Sequence, residues 1–514
     1  MGLAMSKFKK TKKEPQTSIP PQPYTPLYLL NTPPQEINTS LSNIIFKTKN
    51  IFNVYDKSKV IESGTTGSVC RAVHKETTTI RALKEIKIKD NQKLLSEAKR
   101  EIACLKNLEH PNIERIFEYS EIDNDTIYIA VELIKGKELF AKLASSYFKE
   151  PEAAIIMQQL FSAIKLTHDS GIIHRDIKAE NILIQDEKSL FIKLIDFGSV
   201  EILKKFDQKA TQKVGTPSYI PPEILNGEEY DFSCDMWSLG ILMYFLLCGK
   251  KPFTGASEEE IYSNIKNKEL EFKEKVWENI SNDAKELIKC LLVKNKKKRI
   301  NINQALNSDW IKNNICKTED NTNLHNKNFA SSVIENVKKF KNLNQIQLLA
   351  LFYFVHYTVD FNDNDEIKTL TKEFMYYDKD NDGKLSEEEL SNFLLEGGLA
   401  KEELNLILGG IWNLLGDYRG KYIFYESFII LCFNNRKNFF TEKNVQKLFM
   451  KLDTKSKLKL ELEDLKIIYE GVEELDKKNI NPVVWENFYK KMKLSNGEAI
   501  TFEMFKNYMT DIDI

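Results

Sequence analysis

Residues 174–181 read His174-Arg175-Asp176-Ile177-Lys178-Ala179-Glu180-Asn181, and Asp196-Phe197-Gly198 follows downstream. Transfer of a phosphoryl group needs little covalent help from a protein. It needs a carboxylate to orient the attacking hydroxyl and groups that hold Mg²⁺ on the phosphates. Asp176 fits the first role, Asn181 and Asp196 fit the second, and Lys178 can neutralise charge on the transferred group. A lone Asp-Phe-Gly tripeptide carries no weight in a chain of 514 residues. Both stretches in this order and at this spacing do carry weight.

Together they resemble the H-R-D-x-K-x-x-N catalytic loop and the D-F-G metal loop of the protein kinase family. Upstream, Ile61-Glu62-Ser63-Gly64-Thr65-Thr66-Gly67-Ser68-Val69 is similar to the glycine-rich loop that covers ATP phosphates. Bare backbone N–H groups must approach the phosphates closely there, which favours glycine. Gly64 and Gly67 are in place, and Glu62 stands where the family has its first glycine. Arg81-Ala82-Leu83-Lys84 resembles the V-A-I-K strand, which implies Lys84 on the α- and β-phosphates and Glu101 as its partner. A Lys–Glu pair is otherwise a solvated surface pair; the motif order argues for the functional reading. Glu132-Leu133 resembles the adenine-binding hinge, with Val131 as gatekeeper. Ile61, Val69, Ala82 and Leu183 would sandwich the base, positions that also serve as core packing.

Downstream, Gly215-Thr216-Pro217-Ser218-Tyr219-Ile220-Pro221-Pro222-Glu223 resembles the peptide-positioning loop. Asp235-Met236-Trp237-Ser238-Leu239-Gly240 resembles the helix that supports the catalytic loop, and Arg299 is the expected partner of Glu223. The resemblance covers residues 52–311, and Lys178 favours Ser/Thr over Tyr kinases. It implies a two-lobed α+β domain that uses ATP and Mg²⁺, with Asn181 and Asp196 as Mg²⁺ ligands. Glu138 and Glu180 match peptide-groove positions of kinases that prefer basic motifs, which implies protein substrates with an Arg about three residues before the acceptor. Glu138 alternatively serves the ATP ribose.

The net charge of −1 gives no global field for nucleic acid. Seven cysteines are scattered without a C-x-x-C, as expected for reduced thiols in the cytoplasm. No apolar run approaches the ~18–20 residues that cross a bilayer, and the start lacks the apolar core of a secretory signal. Residues 1–50 differ from the rest. Lys7, Lys9, Lys10, Lys12 and Lys13 cluster, and seven of the 14 prolines lie between Pro15 and Pro34. Such a segment reads as a disordered tail. Met1-Gly2-Leu3-Ala4-Met5-Ser6 fits the N-myristoylation pattern. One acyl chain beside a polybasic patch suffices for membrane association; a coincidental Gly2 is the other reading.

Asp378-Lys379-Asp380-Asn381-Asp382-Gly383-Lys384-Leu385-Ser386-Glu387-Glu388-Glu389 matches the EF-hand loop. Calcium takes six to eight oxygens. Asp378, Asp380 and Asp382 offer carboxylates, Lys384 its backbone carbonyl, Ser386 a water-mediated contact and Glu389 two oxygens. Aligning the apolar position 8 on Ile423, Leu460 and Ile500 reveals further loops at 416–427, 453–464 and 493–504. Their ligand sets are incomplete: Gly416 and Ser427 bound the second, the third keeps Asp453 and Asp464 but has Lys455 and Lys457 where carboxylates belong, and Lys493 and Met504 bound the fourth. Four EF-hand folds with one strong calcium site are expected.

Between the two parts, the spacing of Val333, Val337, Phe340, Leu343, Ile346, Leu348, Leu349, Leu351 and Phe352 predicts one long amphipathic helix over Phe329–Tyr357, made basic by Lys338, Lys339 and Lys341. A basic amphipathic helix suits a calmodulin-like groove; a plain linker helix is the other reading. The order of tail (1–50), kinase (51–311), junction helix (312–363) and all-α EF-hand domain (364–514) resembles the calcium-dependent protein kinases. That resemblance implies a Ser/Thr kinase held inactive by an autoinhibitory junction helix until calcium lets the EF-hand domain grip it. Gln212 departs from the acidic residue usual in the activation loop. Two rival readings stand: a pseudokinase scaffold with a calcium sensor, and a kinase controlled by a partner.

Overall fold

The computed structural model describes residues 46–64, 67–122, 125–185, 190–203, 208–319, 327–340, 343, 345–361, 363–415, 421–433, 439–453, 457–461 and 498–510. The tail signals at Gly2 and Lys7–Lys13, together with Lys341, Gly416, Lys455, Asp464 and Lys493, lie outside them.

The N-terminal lobe is a six-stranded sheet in the order β1-β5-β6-β4-β3-β2. Its strands are β1 (Phe46–Lys47), β2 (Tyr55–Ser63), β3 (Gly67–His74), β4 (Ile80–Lys87), β5 (Ile116–Ile122) and β6 (Thr126–Glu132). β6 has six buried residues in a row because both faces of this strand are covered. The period of two sorts them. Ile127, Ile129 and Val131 join the core shared with helix α1 (Gln92–Leu105) and the second lobe. Tyr128 and Ala130 pack with Ile51, Tyr55, Ala72 and Leu83. On α1, Ala98, Glu101, Ile102 and Leu105 recur at helical spacing and are buried, which aims Glu101 at the sheet.

The second lobe is helical. Its axis, Ser233–Cys248, is buried from Cys234 through Cys248 and apolar all round, as a central helix must be. Gly249 ends it in the left-handed conformation at φ 72°. Arg299 meets Glu223 through two parallel bonds of 2.7 and 3.0 Å, as the sequence leads one to expect.

Among the described residues after 319, the chain is helices joined by loops and short strands. The expected single helix over 329–357 is instead two, Lys327–Phe340 and Gln345–Thr358. Leu343 lies outside both helices, and its neighbours in the sequence are Asn, which favours caps over helix interiors. The N–H of Leu343 closes on the Phe340 carbonyl at 3.0 Å. The two helices differ in character. The first buries one stripe, Val333, Ile334, Val337 and Phe340, whereas Leu348 and the run Ala350–Val355 are buried on every side of the second. Both helices share one core with Leu385, Phe393, Trp412, Phe428 and Phe449 of the EF-hand module. Position 8 of each loop behaves as its periodicity implies: Leu385 pairs with Ile423, and Leu460 with Ile500.

Candidate functional site

The cleft between the lobes gathers the residues of the two opening motifs. Asp176 lies on the loop after Ile172–Ile173 and is anchored from below by Asp235. The fully buried Asp235 carboxylate accepts the backbone N–H groups of His174 and Arg175, each at 2.8 Å, and His168 Nε2 at 2.9 Å. Phe197 packs edge-on against the His174 ring. The Asp176 carboxylate accepts Lys178 Nζ at 2.6 Å and the Thr216 hydroxyl at 2.7 Å. Asn181 Nδ2 donates to the Asp176 backbone carbonyl at 2.9 Å and to its carboxylate at 3.2 Å. Burial raises the Asp176 pKa, but the bonds from Lys178 and Thr216 outweigh it and hold this carboxyl below its usual range. It is therefore ionised at neutral pH, as an acceptor for a hydroxyl proton has to be.

Lys84 Nζ reaches Glu101 at 2.8 Å, so that expected pair forms. It also reaches Glu114 at 2.7 Å. Burial lowers the Lys84 pKa, yet Glu101, Glu114 and Asp196 outweigh it and keep the ammonium charged. Glu114 follows His110-Pro111-Asn112-Ile113 directly and belongs to no motif, so the sequence gives no sign of its role.

The remaining expected positions surround the same cleft. Gly64 N–H bonds the Gly67 carbonyl at 2.9 Å across the tip of the β2–β3 hairpin, and any Cβ on Gly67 would run into the Glu85 carbonyl. Val69 is the register partner of both Glu62 and Lys84, and Ala82 is that of Val131. Ile61 is half exposed on the loop side, while Leu183 is half buried beneath the cleft, between Ile182 and Ile184. Glu132 is turned away: its buried side chain accepts the Arg115 N–H at 3.0 Å and Lys193 Nζ at 2.7 Å. Its backbone N–H bonds the Arg115 carbonyl at 2.9 Å. Leu133 follows it, half buried against the core. Glu138 is exposed, and one buried oxygen of Glu180 has no partner. The Asp196 carboxylate and the Asn181 carboxamide oxygen are hard donors of the kind that Mg²⁺ takes.

A second constellation lies in the loop at 378–389. Ligand oxygens of Asp378, Asp380 and Asp382 lie within 4.8 Å of one another. Asp378 accepts the N–H groups of Asp382 and Gly383 at 3.0 and 2.9 Å. Glu389 reaches back to the Lys379 N–H at 2.8 Å and to the Ser386 N–H at 2.9 Å. Lys384 is the first residue of the loop's short strand. Burial first, and then Asp382 and Asp380, push the Asp378 carboxyl well above the usual range. Asp380 and Asp382 are raised too, each first by burial. Three close carboxylates that resist ionisation are what a divalent cation relieves.

This loop sits against the kinase lobe. A Cβ on Gly383 would approach His110 to 2.6 Å and Leu166 to 3.5 Å. Elsewhere the module holds the N-terminal lobe through Arg115, which pairs with Glu426 and donates from Nη2 to His356 Nδ1 at 2.9 Å. Burial raises the Glu426 pKa, but Arg115 and His356 outweigh it and bring it down to about 2. Burial and then Arg115 lower His356 to about 4. Lys451 meets the buried Glu118 at 2.9 Å, and Tyr357 Oη donates to the Phe117 carbonyl at 2.8 Å.

Fold and cleft together define a protein kinase, and residues 55–311 match the protein kinase domain. Calcium-dependent protein kinase 3 of Plasmodium berghei (strain Anka) is 38% identical over 359 residues, 69% of this chain and 63% of that protein. Calcium-dependent protein kinase 5 of Plasmodium falciparum (isolate 3D7) is 38% identical over 351 residues, 68% of this chain and 60% of its own. Calcium-dependent protein kinase 4 of Plasmodium berghei is 31% identical over 490 residues, 91% of this chain and 87% of its own. The chain thus belongs to the calcium-dependent protein kinase family. The matches span less than two thirds of the length of the first two relatives. Protein kinases use ATP and Mg²⁺ and act on protein substrates. Among the described residues, no helix is long and apolar enough to cross a membrane.

Proposed function

We propose that this chain transfers the γ-phosphate of ATP to Ser or Thr of proteins under the control of calcium. The observation that carries the proposal is the closed set around Asp176: Lys178, Thr216 and Asn181 all bond one ionised carboxylate, and Lys84 meets Glu101 nearby. In this reading Asp176 orients the hydroxyl, Lys178 offsets charge on the transferred group, and Asn181 and Asp196 hold Mg²⁺. Ile61, Gly64, Gly67, Val69, Ala82, Lys84, Glu132, Leu133, Glu138 and Leu183 make the nucleotide site. Exposed Glu138 and the unpartnered oxygen of Glu180 support a preference for an Arg upstream of the acceptor.

Asp378, Asp380, Asp382, Lys384 and Glu389 take calcium. The junction segment, 312–363, supplies the two helices that the EF-hand module from 364 onward grips, and Lys338 pairs with Glu403 of that module at 3.0 Å. In this reading, calcium seats both helices in the module and so releases the kinase. The tail ends before Phe46 rather than at residue 50, because Phe46–Lys47 pairs with β5, and an acylated Gly2 beside the lysine cluster would bring the kinase to a membrane.

The test is labelled phosphate transfer to an Arg-containing peptide, in calcium and in chelator. We expect transfer that rises with calcium and vanishes in Asp176→Asn, which still binds ATP. No transfer under either condition would leave a scaffold, and equal transfer under both would leave a kinase controlled by a partner.

A further inference from the structure

We propose that Glu114 is a positioning residue of the phosphoryl-transfer site, holding Lys84 and the backbone of Asp196 through one carboxylate oxygen. This rests on the kinase reading above. Glu114 is 2% exposed, and its Oε1 accepts Lys84 Nζ and the Asp196 N–H, each at 2.7 Å. A buried carboxylate is tolerated only when paired and hydrogen-bonded, and here both partners are parts of the reaction machinery.

The backbone aims it there. Glu114 N–H bonds the Leu194 carbonyl at 2.9 Å, and Leu194 N–H bonds the Asn112 carbonyl at 2.8 Å. Residues 112–114 are thus laced to the short strand Ile192–Leu194, which leads straight into Asp196. Asp196 itself sits at φ +65°, a left-handed conformation that costs a non-glycine residue free energy. The bond from its own N–H to Glu114 offsets that cost and fixes where its carboxylate points. The same oxygen shares the Lys84 ammonium with Glu101, so Lys84 is gripped from two sides before any nucleotide arrives.

The two bonds give separable effects. Glu114→Gln keeps an oxygen acceptor for Asp196 but removes the charge that competes with phosphate for Lys84. Glu114→Leu removes both. The full-length chain in saturating calcium is assayed for kcat and KM for ATP, and a fluorescent ATP analogue is titrated at varied Mg²⁺. For Glu114→Gln we expect KM for ATP to fall about twofold, with kcat and the half-saturating Mg²⁺ within twofold of wild type. For Glu114→Leu we expect kcat to fall about tenfold and half-saturating Mg²⁺ to rise about fivefold, the scale of one charge-assisted bond. If Glu114→Leu matches wild type in both, or Glu114→Gln shifts Mg²⁺ as much as Glu114→Leu, the proposal is overturned. The binding arm decides it even where wild type transfers no phosphate, an outcome that would sink the kinase reading alone. A wild type that binds no Mg–nucleotide sinks both.

Discussion

At their described positions, the loops at 378–389 and 453–464 share a backbone pattern and differ in charge. In the first, Asp378 accepts the N–H groups of residues five and six of the loop, Asp382 and Gly383. In the third, Asp453 accepts those of Lys457 and Leu458, at 2.8 and 2.6 Å. Position six has positive φ in both, 79° at Gly383 and 57° at Leu458. Position eight is buried in both and pairs with a neighbouring loop. Yet where the first loop has the Asp382 carboxylate, the third has the Lys457 ammonium, bonded at 2.9 Å to Glu461. The apolar position and the first Asp are thus common to both turns, while in the first loop Asp380, Asp382 and Glu389 also accept backbone N–H groups besides offering oxygens to an ion. Leu458 also shows why glycine matters more in one loop. Its side chain is 75% exposed, whereas a side chain on Gly383 would meet His110.

The comparison breaks first at Glu389. Glu389→Gln should weaken calcium binding about 100-fold, because the bidentate ligand is lost, and should hold kinase activity at its chelator level. Glu461→Gln should leave calcium stoichiometry at one per chain by calorimetry. An unchanged affinity in Glu389→Gln would remove the first loop's special status.

The shared backbone predicts matching costs at position eight. Leu385→Ala and Leu460→Ala, both fully buried, should each destabilise the module by about 2–5 kcal/mol in denaturant titrations with chelator present. A large cost for Leu385 and none for Leu460 would mean that the third loop does not depend on its pairing. A smaller effect belongs to position six. Leu458→Gly relieves a left-handed conformation and should stabilise by about 1 kcal/mol. Gly383→Ala should instead destabilise and loosen the kinase contact, read as faster proteolysis between 311 and 378.

The smallest effect is in pH. The Asp378, Asp380 and Asp382 carboxyls are raised in the folded, calcium-free chain. Groups raised on folding stabilise below their ordinary value near 4 and lose that contribution as pH rises through the raised values. In chelator, the module's melting point should fall as pH rises from near 4 to neutrality, and Asp378→Asn should flatten that slope. A melting point that rises with pH would contradict the charge crowding.

The parts legible in the sequence are those where chemistry fixes residue type and spacing together. Asp176, Lys178, Asn181 and Asp196 fall where their motifs put them, and the period of the EF-hand repeats located Leu460 and Ile500. Glu114 was not legible, because a carboxylate at the edge of a sheet is ordinarily solvated and its partners come from distant segments. The Arg115–Glu426 pair was hidden for the same reason, since 311 residues of sequence separate its members and only docking brings them together. The single junction helix failed because helical spacing continues through Asn342 and Asn344, residues whose side chains compete for the backbone.

Arg175 has one more consequence. Its guanidinium meets Glu201 at 2.9 Å, the Val200 carbonyl at 3.0 Å and the Tyr230 hydroxyl at 3.2 Å. The catalytic-loop cation is already paired with a carboxylate a short way along its own chain, in the place where a phosphate would otherwise compete for it. Under the calcium control proposed above, a switch that did not rely on such a phosphate would keep no covalent record of past stimulation, and its output would last only as long as the ion stays bound.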